Sequence, residues 1–355
     1  MQHIIEQFRE QVRAAARDGR ALCIRGGGSK DWYGQQLDGD ILDTRAYRGI
    51  VDYEPTELVI TARCGTPLAE IEAALLEQRQ MLAFEPPHFG AASTLGGAIA
   101  AGLSGPRRAG SGALRDFVLG ARLLDGKGEV LGFGGQVMKN VAGYDVARLL
   151  AGSLGTLGVL LEVSVKVLPI PVAETTLRFA LGEPDAIRML NEWAGQPLPV
   201  SASCWHDGML ALRLSGARAA VDDAVRSLGG EVMPDCAAFW VGVREQRHAF
   251  FMRSLDDDAA LWRLSLPSTA GPIALGSQLI EWGGAQRWLR APGDAATAQH
   301  IRSVVAAAGG HATLFRGGDE SVGVFQPLAP AIARIHARLK AGFDPANIFN
   351  PGRMV

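Results

Sequence analysis

The glycines of this chain are clustered, and that clustering narrows the possible fold more than any other feature of the sequence. They gather at 26–28, 90–112, 126–135 and 152–158, between apolar stretches. Glycine accounts for 44 of the 355 residues, where a usual share of roughly 7% would give about 25. No G-X-Y period and no Ser-rich low-complexity tract surrounds them, so neither a collagen helix nor a flexible linker explains the excess. What remains is backbone that must pass close to something, either another part of the chain or a ligand.

Length and charge set the class. At ~150 residues per domain, 355 residues suggest two or three domains. Lys plus Arg is 35 and Asp plus Glu is 37, a formal charge of −2 with no basic block, which argues against nucleic acid as a partner. With 48% hydrophobic and 20% charged residues, the chain can bury a large core and leaves a sparsely charged surface that another protein could cover. Cys23, Cys64, Cys204 and Cys236 form no CxxC pair and sit in apolar segments, as buried thiols in a reducing compartment do. Residues 1–20 interleave Ile4, Ile5, Phe8 and Val12 with Glu6, Arg9, Glu10, Arg13 and Arg17, an amphipathic helix and not a secretory signal. The expected location is the cytoplasm, with a membrane reached only through partners.

The elements that follow suggest a domain boundary. Ala21–Arg25 reads as a strand running into Gly26-Gly27-Gly28-Ser29-Lys30, followed by short strands at 41–43, 49–53 and 58–63. Thr66-Pro67 supplies an N-cap and an N1 proline for a helix with Leu68, Ile71 and Leu75 on one face. A hairpin is expected over 117–133, and a long strand over 157–168 closed by Pro169-Ile170-Pro171, taken as the boundary. Beyond it, strands at 175–181 and 209–214 alternate with helices at 184–194 and 217–228, and a further strand and helix set runs from 261 to about 315. These segments predict helices on one side of a mostly antiparallel sheet. A last helix over 329–340 precedes an irregular apolar tail. The expected domains are 1–170, 171–342 and a tail, 343–355.

Glycine loops without Cβ atoms let several N–H groups converge on one anion. The dinucleotide fingerprint G-x-G-x-x-G fails, because Asp31 and Arg115 stand where the third glycine is required. A Walker A loop fails as well: Gly120 and Gly126-Lys127 are one residue too far apart, and Gly128 replaces the magnesium-binding hydroxyl. Two loops remain, Arg25 to Lys30 and Ser93-Thr94-Leu95-Gly96-Gly97. From the residues alone, they are equally a clamp for a pyrophosphate and a pair of tight turns where helix and sheet approach.

The ordered set Arg25-Gly-Gly-Gly-Ser29-Lys30, Pro86-Pro87, Ser93-Thr94-Leu95-Gly96-Gly97, Tyr144-Asp145, Gly152 to Gly158 and Phe349-Asn350-Pro351-Gly352-Arg353 resembles the FAD-linked oxidases of the vanillyl-alcohol oxidase type. Lys139 to Asp145, the stretch Trp282 to Trp288 and the short second domain are most similar to the FAD-binding E subunits of bacterial glycolate oxidases. The resemblance implies an α+β chain: a two-part FAD-binding domain of the PCMH type, a smaller α+β cap domain, and a tail returning to the flavin domain. It implies FAD with its diphosphate against Gly26, Gly27, Gly28, Ser29 and Lys30 and against Thr94, Leu95, Gly96 and Gly97, with Ser93 beside them. Adenine would lie by Gly155, Gly158 and Val159, and the isoalloxazine near Pro87, Gly102 and Asn350. Arg25 could help neutralise the pyrophosphate. Ser29 cannot form a histidyl-flavin bond, so non-covalent FAD is expected; Cys23 and Cys64 are read as core residues.

Oxidising a 2-hydroxy acid needs a group for the hydroxyl proton and a cation for the carboxylate. The seven histidines show no H-x-H or H-x-x-x-H spacing, so no metal site is expected. His88 and His311 are candidate bases and Arg316 a candidate clamp, although a lone histidine is more often a satisfied or surface residue. No iron–sulfur ligation is available, so electrons leaving the flavin would need a partner. Three functions stay open: an FAD subunit beside a larger homologous flavin subunit and an iron–sulfur subunit, a self-sufficient oxidase or dehydrogenase of a small hydroxy acid or alcohol, and an assembly subunit with structural FAD.

Overall fold

The computed structural model describes residues 1–136, 144–252 and 259–354. The chain divides into two compact units, 1–103 with 113–169 and 327–355, and 104–112 with 170–326. The helix expected over 329–340 forms as Pro330–Phe343 and is part of the first unit, and the short segment 104–112 is part of the second. Of the stretch Lys139 to Asp145, which carried part of the resemblance, Lys139 to Gly143 lie outside the described residues.

In the first unit the amphipathic N-terminal segment forms the helix Gln2–Asp18, stopped by Gly19 in the left-handed region, and buries Ile4, Ile5, Phe8, Val12 and Ala15. Strand Leu22–Arg25 pairs in parallel with Asp40–Asp43. An antiparallel sheet of five strands follows, in the order Ile50–Glu54, Val59–Arg63, Val159–Lys166, Val118–Leu124 and Val130–Gly134. Helices Leu68–Glu77 and Leu95–Ala101 bury Leu68, Ile71, Leu75, Leu95 and Ile99 in the core of this sheet. The first of these helices starts one residue later than its sequence suggests, because the Thr66 hydroxyl accepts from Gly49 N and donates to the Arg63 carbonyl. The long strand expected over 157–168 is shorter, since Gly158 takes a φ of 150° and Leu168–Pro169 leaves to pair with Gln80–Met81.

The second unit is an eight-stranded antiparallel sheet. Its order is Glu231–Val232, Ala173–Ala180, Met209–Gly216, Val200–His206, Gln278–Glu281, Gln286–Pro292, Ala259–Ser265 and His311–Arg316. Helices Glu183–Ala194 and Arg218–Leu228 bury Ile187, Leu190 and Val221 against Leu177, Leu210, Leu212 and Leu214. Helix Ala295–Ala307 buries Ile301 and Val305 against Trp262, Leu264, Ala312 and Leu314. Segment 104–112 is locked to this unit: Trp282 Nε1 donates to the Gly105 carbonyl, and Arg107 pairs with Glu174 at 2.7 Å.

Candidate functional site

The strand Leu22–Arg25 is extended by the tail. Leu22 N donates to the Ile348 carbonyl at 2.7 Å and Asn350 N donates to the Leu22 carbonyl at 3.0 Å. The Asn350 side chain, almost fully buried, accepts from Ile24 N at 2.8 Å and donates to the Leu154 carbonyl at 2.6 Å. One amide thus ties strand, tail and the loop at 154 together at the entrance to the glycine turn. Buried Arg353 donates to the Gln35 and Asp31 carbonyls, fixing the chain that leaves the turn. Asp344 accepts from Ile348 N and Phe349 N, and the Lys340 ammonium holds that carboxylate and donates to the carbonyls of Thr156 and Phe349.

Between these braces the glycine turn has no room for side chains on one side. A Cβ on Gly27 would stand 1.5 Å from the Ala92 carbonyl oxygen, and one on Gly26 would stand 2.4 Å from Thr94 Oγ1. The two loops singled out from the sequence therefore lie directly against each other. The backbone N–H groups of Gly26, Gly27, Gly28 and Ser29 donate to no acceptor among the described residues. Lys30 Nζ reaches across to Ser93 Oγ at 3.0 Å and to the His88 carbonyl at 3.2 Å. A cleft opens here, lined by Gly26 to Lys30 with Thr94, Gly97, Leu154 and Asn350. Unclaimed N–H donors beside an ammonium suit an anion, and four successive donors match the several oxygens of a diphosphate better than the two of a side-chain carboxylate.

The second loop has a different role. Leu95 N donates to the Thr66 carbonyl, Gly96 N to the Cys64 carbonyl and Gly97 N to Thr94 Oγ1 at 3.2 Å, as Thr94 caps the helix Leu95–Ala101. The N–H groups of Leu95, Gly96 and Gly97 are thus spoken for within the protein, while Thr94 N donates to no acceptor among the described residues, so this loop supplies shape and few donors.

Residues 3–134 match the model of the FAD binding domain family. Over 346 residues the chain is 51% identical to glycolate oxidase subunit GlcE of Escherichia coli (strain K12), covering 97% of this chain and 95% of that protein. The chain belongs to the GlcE family. A shorter stretch of 85 residues is 42% identical to glycolate oxidase subunit GlcD of Bacillus subtilis (strain 168), covering 24% of this chain and 18% of that protein. The solved structure of alkyldihydroxyacetonephosphate synthase shares the fold, with a TM-score of 0.67 at 16% identity over 98% of this chain and 74% of that one. FAD is the cofactor of this GlcE-family chain, which is an FAD-dependent oxidoreductase of the α+β PCMH type.

Not every residue expected at the flavin lines the cleft. Gly155, at φ 73°, faces Asn350 Nδ2, which a Cβ would meet at 2.7 Å. Gly158 packs on the Leu124 carbonyl, Gly96 on Cys64 and Gly102 on Gly152, so these three serve close approach of backbone. Val159 and Leu95 are core side chains, and Pro87 is buried. Arg25 pairs with Asp31 at 2.6 Å. Arg353, Lys340 and Asp344 were missed as site supports; the Asp-Pro step after the last helix is the sequence signal that could have found them.

The candidate bases belong to different units. His88 Nε2 lies 3.1 Å from Glu72 Oε1 in the first unit. His311 and Arg316 stand at opposite ends of one strand, so about 3.3 Å per residue puts them roughly 16 Å apart, too far to hold one small acid between them. Burial, and then the charge of Arg263, lowers the His311 pKa, and burial lowers that of Arg316. The fold also pairs two histidines that the sequence keeps 42 residues apart: the His206 and His248 rings are 5.8 Å apart. His248 Nδ1 accepts from Phe250 N, and burial followed by His206 lowers its pKa. No group of three or more His, Cys, Asp or Glu among the described residues could hold a metal.

Proposed function

We propose that this chain is the FAD-binding subunit of a glycolate oxidase complex, taking part in the oxidation of glycolate to glyoxylate. The observation that carries the reading is 51% identity over almost the whole length of both chains to a glycolate oxidase subunit. The glycine turn with its four unclaimed N–H groups supports it. In this reading Gly26 to Ser29 hold the FAD diphosphate non-covalently, Lys30 and Ser93 set the distance between the loops, and Asn350 and Arg353 keep the turn in shape. Bound FAD supplies a hydride acceptor at N5.

The partners are a larger homologous FAD subunit and an iron–sulfur subunit. Within the second unit His311 and Arg316 stand too far apart to act together on one small acid, and loss of such a constellation removes several powers of ten in rate. The complex works in the cytoplasm and meets a membrane through its partners; no helix among the described residues is long and apolar enough to cross one. Anaerobic dye reduction with glycolate tests the assignment. The FAD-loaded chain alone should be inactive, and activity should appear when the partner subunits are added. Full turnover by the chain alone would refute it.

A further inference from the structure

The second unit carries a cation whose partners leave its most useful atoms open. On the sheet, Trp262, Leu264, Ala312 and Leu314 turn toward helix Ala295–Ala307, and strand alternation puts Arg263 and Thr313 on the other face. Arg263 and Thr313 are register partners across the antiparallel pair. The Arg263 Nε donates to Gln286 Oε1 at 2.9 Å, and its guanidinium lies 5.5 Å from the centre of the Trp282 ring. Its Nη1 and Nη2 have no hydrogen-bond partner among the described residues, and neither is sealed from solvent. Arg263 forms no ion pair among those residues. The buried Glu281 carboxylate on the same face accepts from Gln286 Nε2 at 3.0 Å and from Trp288 Nε1 at 2.6 Å. Arg108 adds a second guanidinium 4.5 Å from the Trp282 ring centre.

The result is a guanidinium fork aimed and stiffened from behind, with the Thr313 hydroxyl across the strand pair and the nearby Glu281 carboxylate already engaged by Gln286 and Trp288. A fork of this kind matches a carboxylate with two parallel N–H bonds, and a neighbouring hydroxyl matches a second oxygen on the adjoining carbon. We propose that Arg263, with Thr313, binds the carboxylate of a small 2-hydroxy acid on this face of the sheet. The choice of ligand rests on the glycolate reading; the site itself rests on the geometry of Arg263. Because binding needs no base, the chain holds the acid without oxidising it.

Calorimetric titration of the FAD-loaded full-length chain with glycolate, with oxalate and with methyl glycolate tests this. Glycolate and oxalate should bind, methyl glycolate should not, and inorganic phosphate at equal concentration should not displace them. Arg263→Gln should weaken glycolate binding at least ~10-fold with FAD content unchanged. Should that variant fold poorly, Arg263→Lys, which keeps the charge and loses the fork, should still bind glycolate more weakly than the parent chain. No binding to the parent chain, equal binding of the ester, displacement by phosphate, or parental affinity in either variant would overturn the proposal. Dye-linked activity of the assembled complex, measured on the same preparations, reports separately on the glycolate oxidase assignment.

Discussion

In the first unit the groups that await a ligand are the N–H groups of Gly26 to Ser29, held by a turn that tolerates no side chain at Gly27. On the sheet of the second unit the waiting groups belong to a side chain, Arg263, held by Gln286 and Trp282. A backbone site is built from absence of Cβ atoms, so one added methyl can destroy it. A side-chain site is built from presence, so it weakens in steps as contacts are removed, and it depends on residues spread from Arg108 to Thr313.

The sharpest break between the two should come from Gly27→Ala. Its Cβ would fall 1.5 Å from a backbone oxygen, which only displacement of a loop can relieve. FAD affinity should fall by about 100-fold or more, the consequence of losing roughly 3 kcal/mol, measured as flavin bound per chain. Gly97→Ala, which meets only Thr94 Oγ1 at 3.2 Å, should keep its flavin. Equal retention by both variants would mean that the turn at Gly27 is not where the diphosphate lies.

Asn350→Ala should come next. It orphans Ile24 N and the Leu154 carbonyl and puts alanine at a φ of 40°, so the first unit should lose about 2–5 kcal/mol in denaturant unfolding, with weaker FAD retention. Asn350→Asp keeps the acceptor for Ile24 N and should recover part of the loss.

The smallest effect belongs to the second unit. Burial pushes the Glu174 pKa up, but Ser215, Arg213 and Arg107 outweigh it and hold it below the ordinary 4.5. A carboxylate depressed on folding stabilises fully above its unfolded value, and that contribution fades as pH falls through the folded one. Glu174→Gln should therefore cost about 1 kcal/mol near pH 7 and close to nothing near pH 3, read from melting of the second unit, because the pair is partly exposed and screened. A constant difference across that range would show that the carboxylate's charge is not what matters.

The two regions also differ in how far they could be read beforehand. The glycine turn was legible because a strand leading into three glycines has few uses, and the apolar tail announced that it must pack. The roles of individual glycines were not: Gly96, Gly102 and Gly158 face neighbouring backbone or Cys64, and only contacts distant in sequence reveal that. Strand Val200–His206 went unread since Ser201 and Ser203 break its apolar pattern, yet both of its faces are buried and their hydroxyls find partners in Arg213 and Gly283. Arg263 stayed invisible for a related reason. Nothing near it in the chain marks an arginine whose partners arrive from three other segments.

Hydrogen exchange at the glycine turn tests the central claim most directly. The amides of Gly26, Gly27, Gly28 and Ser29 have no acceptor within the described protein, whereas Gly96 N is bonded to the Cys64 carbonyl and serves as an internal reference. With FAD removed, the four should exchange fast while Gly96 stays protected; on adding FAD, the four should slow sharply and Gly96 should change little. Unchanged exchange at all four amides in the FAD-loaded chain would contradict the placement of the cofactor on this turn.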